Sequence, residues 1–333
     1  MKIVIAAASG NIGRRTAEKV IQAGAETILL ARHPEKLADL VEGAIASGNS
    51  EVRVQPISSD DAQELIEVTQ RADALFWLTP PKLDVPNMRD WYLQTAKAGA
   101  NAVSTNGIPR VVNISSIGAG AKPNLGTVSF SGTVESILNQ TAANVVHLRP
   151  GYFMENFLAQ IETIQSDRTV RFPYPSDHDI PWISTDDIGD VAAHYLLDQR
   201  WAGQWTRNLM GAENLTLLET SAILSRVLSY SIEYAQVSIE SLQQQFAAMG
   251  ATTEVQREMG DLFRALGDPD GVYATARTPE ATTPTTFEQF VKNKILPNLL
   301  SFSSKATPLS KHTNAEGLKF TAFYRSATSP PFA

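Results

Sequence analysis

The opening of this sequence limits the possible fold more tightly than anything that follows. Lys2-Ile-Val-Ile-Ala6 is a short apolar run rich in β-branched residues, the mark of a buried strand. Ala7-Ala-Ser-Gly10-Asn-Ile-Gly13 comes next. From Arg14 to Ala23 the residues Ala17, Val20 and Ile21 then fall at helical spacing. A second apolar run, Thr27-Ile-Leu-Leu-Ala31, ends on Arg32. Strand, glycine turn, helix and strand make the βαβ unit that holds a dinucleotide.

The residue types suit such a ligand. A pyrophosphate needs donors, and a helix N-terminus offers unpaired N–H groups and the positive end of a dipole. Backbone can approach closely only where side chains are tiny or missing. The turn reads as G-x-x-G-x-x-G with Ala7 in first place, so Ala7, Ser9, Gly10, Asn11, Ile12 and Gly13 are the candidate phosphate-binding residues. Where an NAD site carries an acidic residue at the end of the second strand, this chain has Arg32, followed by His33 and, one turn on, Lys36. A guanidinium there can grip a 2′-phosphate with two donors, which points to NADP(H). The plainer alternative is a solvated charge at a strand end.

Further along, Val52–Ile57 alternates like a strand, and Ser58-Ser-Asp-Asp61 precedes a helix ending near Arg71. Asp60 or Asp61 either caps that helix or touches an adenine. Residues 44–50 read as a loop. Ala72–Leu78 is a fourth buried strand, stopped by Thr79-Pro80-Pro81. A helix is expected over Asn87–Ala98, a fifth strand over Pro109–Ser116, a helix over Thr133–Ala143 and a sixth strand over Asn144–Leu148. This alternation predicts an α/β, Rossmann-type doubly wound parallel sheet. Ligands of such sheets sit at the strand carboxyl ends, where Gly10, Arg32, Thr79, Pro80, Ser115 and Ser116 converge, and Leu78 joins the candidate cofactor-binding residues.

Residues 1–150 are therefore read as a dinucleotide-binding domain. Residues 151–300 are read as a smaller mixed α/β lobe, interleaved with the first and placed at the strand carboxyl ends. Its short strands are expected at Thr169–Phe172, Pro181–Ile183 and Asn208–Met210. Its helices are expected at Asp186–Leu197, Leu217–Leu228, Ile239–Met249, Thr253–Leu266 and Thr286–Ile295. Residues 301–333, rich in Ser, Thr, Lys and Pro, are read as a disordered tail.

The net charge of −7 argues against nucleic-acid or anionic-membrane partners, which want a basic surface. No window approaches the 18 or so consecutive apolar residues of a membrane helix. Neither a signal-peptide pattern nor a cysteine is present, and the five histidines lack metal-ligand spacing. A cytoplasmic, metal-free monomer or homodimer with a small-molecule substrate is the expectation.

Several of these stretches resemble the NmrA-like group of atypical short-chain dehydrogenases/reductases. The turn 7–13 is similar to that group's glycine turn, and Leu30-Ala-Arg-His-Pro-Glu-Lys36 to its NADP-selecting strand end. Leu148-Arg-Pro-Gly-Tyr-Phe-Met-Glu-Asn156 is the most specific match, joined by Ile180–Ile188 and Thr285–Phe290. The resemblance spans about residues 1–298. It implies a quinone, azo or secondary-metabolite reductase, or a non-catalytic NADP-binding redox sensor. It also implies that Pro150, Tyr152 and Phe153 shape the nicotinamide pocket.

The wider superfamily reduces carbonyls with a serine after the fifth strand and a Tyr-x-x-x-Lys pair, in which the lysine tunes the tyrosine as proton donor. Ser115 supplies the serine, but Phe130 and Val134 fall where the pair is expected. Hydride transfer to a quinone or a protonated imine needs little proton donation, so positioning carries much of the rate. Tyr152, Ser115 and Tyr174 are the candidate catalytic residues, with His178 as a further donor. For each aromatic the alternative is a packed pocket wall, and His147 reads as a core histidine. Three functions stay open: an NADPH-dependent reductase of an electron-poor small molecule, a redox sensor, and an isomerase or epimerase.

Overall fold

The computed structural model describes residues 1–305. Its strands are β1 (Lys2–Ile5), β2 (Glu26–Leu30), β3 (Val52–Gln55), β4 (Ala74–Leu78), β5 (Arg110–Ile114), β6 (Asn144–Pro150), β7 (Tyr152–Phe153), β8 (Thr169–Phe172), β9 (Trp182–Ile183), β10 (Gln204–Leu209) and β11 (Glu233–Gln236). Two compact units arise from them. Among the described residues, one comprises 1–82, 87–150 and 185–209, the other 83–86, 151–184 and 210–305.

The first unit is a seven-stranded parallel sheet in the order β10-β6-β5-β4-β1-β2-β3. Ile3, Val4 and Ile5 are all buried, as are Leu75, Phe76 and Trp77. Helices cover both faces of such a sheet, so its strands read as continuous apolar runs with no polar alternation. The chain steps outward from β1 to β3 and then returns to lay β4 beside β1. That reversal is the switch point at which such sheets bind ligands.

Four expectations shift here. The helix expected over Thr133–Ala143 spans Thr127–Leu138, starting behind Gly126 at φ +55° with no side-chain cap. The helix from Met88 runs past Ala98 to Asn106 and stops at Gly107, whose φ of +61° ends it. Residues 44–46 close a helix (Ala38–Ala46) and are not loop. The helix Thr185–Leu197 and β10 belong to the sheet unit, where β10 pairs along β6, although sequence placed both in the smaller lobe.

The second unit holds two small parallel pairs, β7 with β9 and β8 with β11. Its core is aromatic. Trp182 lies 5.1 Å from both Tyr152 and Phe157, and Phe157 lies 4.8 Å from Phe287. Pairing of β7 with β9 brings Gly151 so near that a β-carbon on it would stand 2.1 Å from the carbonyl oxygen of Pro181. The last helix, Leu296–Lys305, includes the first residues of the expected tail. The rest of that tail lies outside the described residues. No helix among the described residues is long and apolar enough to cross a membrane.

Candidate functional site

The turn after β1 is pinned on both sides. The Ala6 N–H donates to the Phe76 carbonyl on β4, and the Ala8 N–H to the Leu30 carbonyl on β2, each at 3.0 Å. Between them Ala7 takes φ +51°, the left-handed conformation that favours glycine. The helix Asn11–Gln22 then starts at Gly10, with no side-chain cap and no acidic residue in its first turn. Its opening N–H groups and dipole thus meet no anion from the cap or first turn. Ser9 is half-buried and Asn11 exposed, while Ile12 turns into the core at 5% exposure.

Sequence treated the two glycines alike, but their surroundings differ. A β-carbon on Gly13 would meet the Ala7 carbonyl oxygen at 2.3 Å, whereas one on Gly10 would meet the same atom at 3.4 Å, an ordinary contact. Gly13 lets the helix press against the turn, and Gly10 leaves its mouth open. The helix is fixed from behind by Arg15, which donates to both carboxylate oxygens of Asp190 at 2.7 and 3.0 Å.

At the end of β2, Arg32 is half-buried and has interactions of its own. His33 stands 3.3 Å from Glu35. The Lys36 carbonyl accepts from Arg14 at 3.0 Å, and Arg14 also binds Asp39 at 2.5 Å. That guanidinium holds the Asp39 carboxyl below its usual range. Asp61 caps the next helix by accepting from the Glu64 N–H at 3.0 Å, while Asp60 accepts from Ser58. At the end of β4, beyond Leu78, the Thr79 hydroxyl lies 3.4 Å from that of Thr95, and the Pro80 carbonyl accepts from the Trp91 indole at 2.8 Å.

The ends of β5 and β6 carry an arrangement that sequence reading missed. Ser115 Oγ donates to Glu135 Oε1 at 2.5 Å, and Arg149 donates to the same oxygen through Nε (2.8 Å) and to Oε2 through Nη2 (2.6 Å). Glu135 is 6% exposed and Ser115 8%. Two signals were present: one acidic residue in an otherwise uncharged helix, Thr127–Leu138, and an arginine closing a buried strand. On that same helix Phe130 and Val134 are buried, Phe130 packing 5.7 Å from Tyr92. Pro150 is anchored by the Ile117 N–H, which donates to its carbonyl at 3.1 Å.

His147, beside this group, is a core histidine. It is 1% exposed, with Asn113 Nδ2 3.0 Å from Nδ1 and Asn139 Oδ1 3.0 Å from Nε2. The amides fit a neutral ring protonated on Nε2. Burial lowers its pKa to about 4, Glu135 opposing and Arg149 adding to that shift.

In the second unit, Tyr152 and Tyr174 meet edge to face at 6.0 Å, and burial pushes both phenols well above their ordinary acidity range. Phe153 is half-buried. His178 is buried, with Nε2 2.8 Å from the Leu266 carbonyl oxygen. Tyr152 and Tyr174 are thus together, while Ser115 lies in the sheet unit.

A model of the NmrA-like family matches residues 1–291. The NAD(P)H azoreductase of Xenophilus azovorans is 23% identical over 293 residues, covering 87% of this chain and 96% of that one. Prestalk A differentiation protein A of Dictyostelium discoideum is 26% identical over 162 residues, 48% of this chain, and the match spans 53% of that protein. Among solved structures, an NADPH-dependent quinone oxidoreductase of Escherichia coli complexed with NADPH superposes with a TM-score of 0.70. It is 17% identical, and the match covers 88% of this chain and 99% of that one.

Proposed function

The chain belongs to the NmrA-like family, and from that premise we propose that it is an NADPH-dependent oxidoreductase acting on an electron-poor small molecule such as a quinone or imine. The observation that carries this reading is the turn itself: Gly13 seated on the Ala7 carbonyl and an uncapped helix start at Gly10. A pyrophosphate fits there because the first-turn N–H groups offer donors and no acidic side chain of that turn opposes it. The azoreductase and quinone oxidoreductase relatives support the reaction class.

When bound, the dihydronicotinamide supplies a hydride. In this reading Ala7, Ser9, Gly10, Asn11, Ile12 and Gly13 hold the diphosphate. Arg32, with His33 and Lys36, binds the 2′-phosphate through charge-assisted hydrogen bonds. Leu78, Thr79 and Pro80 bound the ribose side, and Ser115 and Pro150 belong to the nicotinamide region. Tyr152 and Tyr174 of the second unit serve as apolar packing and not as proton donors, since burial holds their protons tightly. In this reading the Ser115 hydroxyl meets the substrate.

Phe130 and Val134 favour a second reading, in which the chain binds NADP(H) and reports redox state without turnover. Calorimetric titration with NADPH and NADH, followed by loss of dihydronicotinamide absorbance against a panel of quinones and imines, separates the two. Binding with turnover supports the reductase, and binding without turnover the sensor. No binding of either dinucleotide at millimolar concentration defeats both.

A further inference from the structure

Building on the reductase reading and narrowing its substrates, we propose that Glu135, clamped by Arg149, positions the Ser115 hydroxyl as a hydrogen-bond acceptor, so that the site favours ligands presenting an N–H, a protonated imine above all, over carbonyl acceptors, quinones included.

A hydroxyl has one hydrogen and two acceptor lone pairs. The hydrogen of Ser115 is committed to Glu135 Oε1 at 2.5 Å. Arg149 grips both oxygens of that group in the forked geometry made to a carboxylate, which has no hydrogen to give back. With Glu135 at 6% exposure, water cannot readily replace Ser115 as its donor. Turning the Ser115 hydrogen toward a ligand would leave a buried carboxylate short of a partner, a larger loss than one ordinary hydrogen bond returns. Ser115 therefore offers lone pairs.

The neighbours leave this polarity in place. Phe130 and Val134 on the same helix have no polar atoms to contribute. The Ser116 hydroxyl donates to the Ile117 carbonyl at 3.2 Å. A carbonyl oxygen arriving at Ser115 would meet lone pairs with lone pairs, whereas the N–H of a protonated imine finds an acceptor.

Glu135→Ala supplies the test, because it removes the acceptor that holds the serine hydrogen and releases that hydrogen toward the ligand. With NADP⁺ present, dissociation constants are measured by calorimetry for dihydroisoquinoline, at a pH where it is protonated, and for the ketone tetralone. Wild type is expected to prefer the protonated imine by about tenfold, the worth of one matched hydrogen bond. Glu135→Ala should erase or invert that preference, and Glu135→Asp should keep part of it. Ser115→Ala, which leaves the Glu135–Arg149 pair intact and so tests the idea even where the Glu135 variant folds poorly, should abolish it. An unchanged imine-to-ketone ratio in Ser115→Ala, with NADP⁺ still bound, overturns the assignment while leaving the reductase reading standing. Failure of wild type to bind NADP⁺ defeats the reductase reading and this one with it.

Discussion

A β-carbon placed on Gly13 would stand 2.3 Å from the carbonyl oxygen of Ala7, closer than non-bonded carbon and oxygen can sit. Both atoms belong to backbone, so no side chain can swing aside. Gly13→Ala is expected to cost about 1–3 kcal/mol, as overpacking does, and to weaken NADPH at least about tenfold by displacing the turn. Gly10→Ala meets the same oxygen at 3.4 Å and should cost about 1 kcal/mol or less, from the poorer helix cap. Urea denaturation and NADPH titration of the two variants check the contrast. Equal effects would show that the close approach does not set the glycine requirement.

Ala7 itself supplies a second prediction. Its φ of +51° costs an alanine about 1–2 kcal/mol that a glycine escapes. Glycine in turn frees the unfolded chain by about 0.4–1 kcal/mol. Ala7→Gly should therefore stabilise the protein slightly, by roughly 0.5 kcal/mol. A clear loss of stability in the urea midpoint would mean that the methyl group packs usefully and outweighs the strain.

What the sequence revealed, and what it hid, follows from how far apart the cooperating residues lie. The runs at Ile3–Ile5 and Leu75–Trp77 announced a buried parallel sheet, because both faces of those strands are covered. The helix Thr127–Leu138 was misplaced because Gly126 caps it through backbone shape alone and its first turns are rich in Ser and Thr. Thr133, an interior residue, looked like the better start. The return of the chain through the helix Thr185–Leu197 to β10 rests on pairing with β6 and on the Arg15–Asp190 ion pair, contacts that no local pattern encodes. Glu135 needs Ser115 and Arg149 together to acquire meaning, and only the fold supplies that meeting.

In the proposed reading the cofactor preference turns on Arg32. Reversing its charge in Arg32→Asp should weaken NADPH by one to two orders of magnitude, since a charge-assisted contact is replaced by repulsion. NADH, lacking the 2′-phosphate, should change by only a few-fold. Titrating both dinucleotides against both proteins tests this. NADPH affinity that stays put would remove the basis for choosing NADP(H) over NAD(H).

His147 should make the fold acid-sensitive. Its pKa falls from 6.5 in an unstructured chain to about 4 in the folded protein, chiefly through burial. Above pH 6.5 the ring is neutral in both states, and its contribution to stability is fully present. As pH falls from 6.5 toward about 4, the unfolded chain binds a proton that the folded one refuses, so stability drops. Below about 4 both states are protonated, and the loss stops growing. The full loss is on the order of 3 kcal/mol. His147→Gln keeps an acceptor for Asn113 and a donor for Asn139 but cannot titrate. Its urea midpoint should fall less steeply than wild type across that window, by up to about one proton's worth of slope. Parallel pH dependences would assign the acid sensitivity to another group.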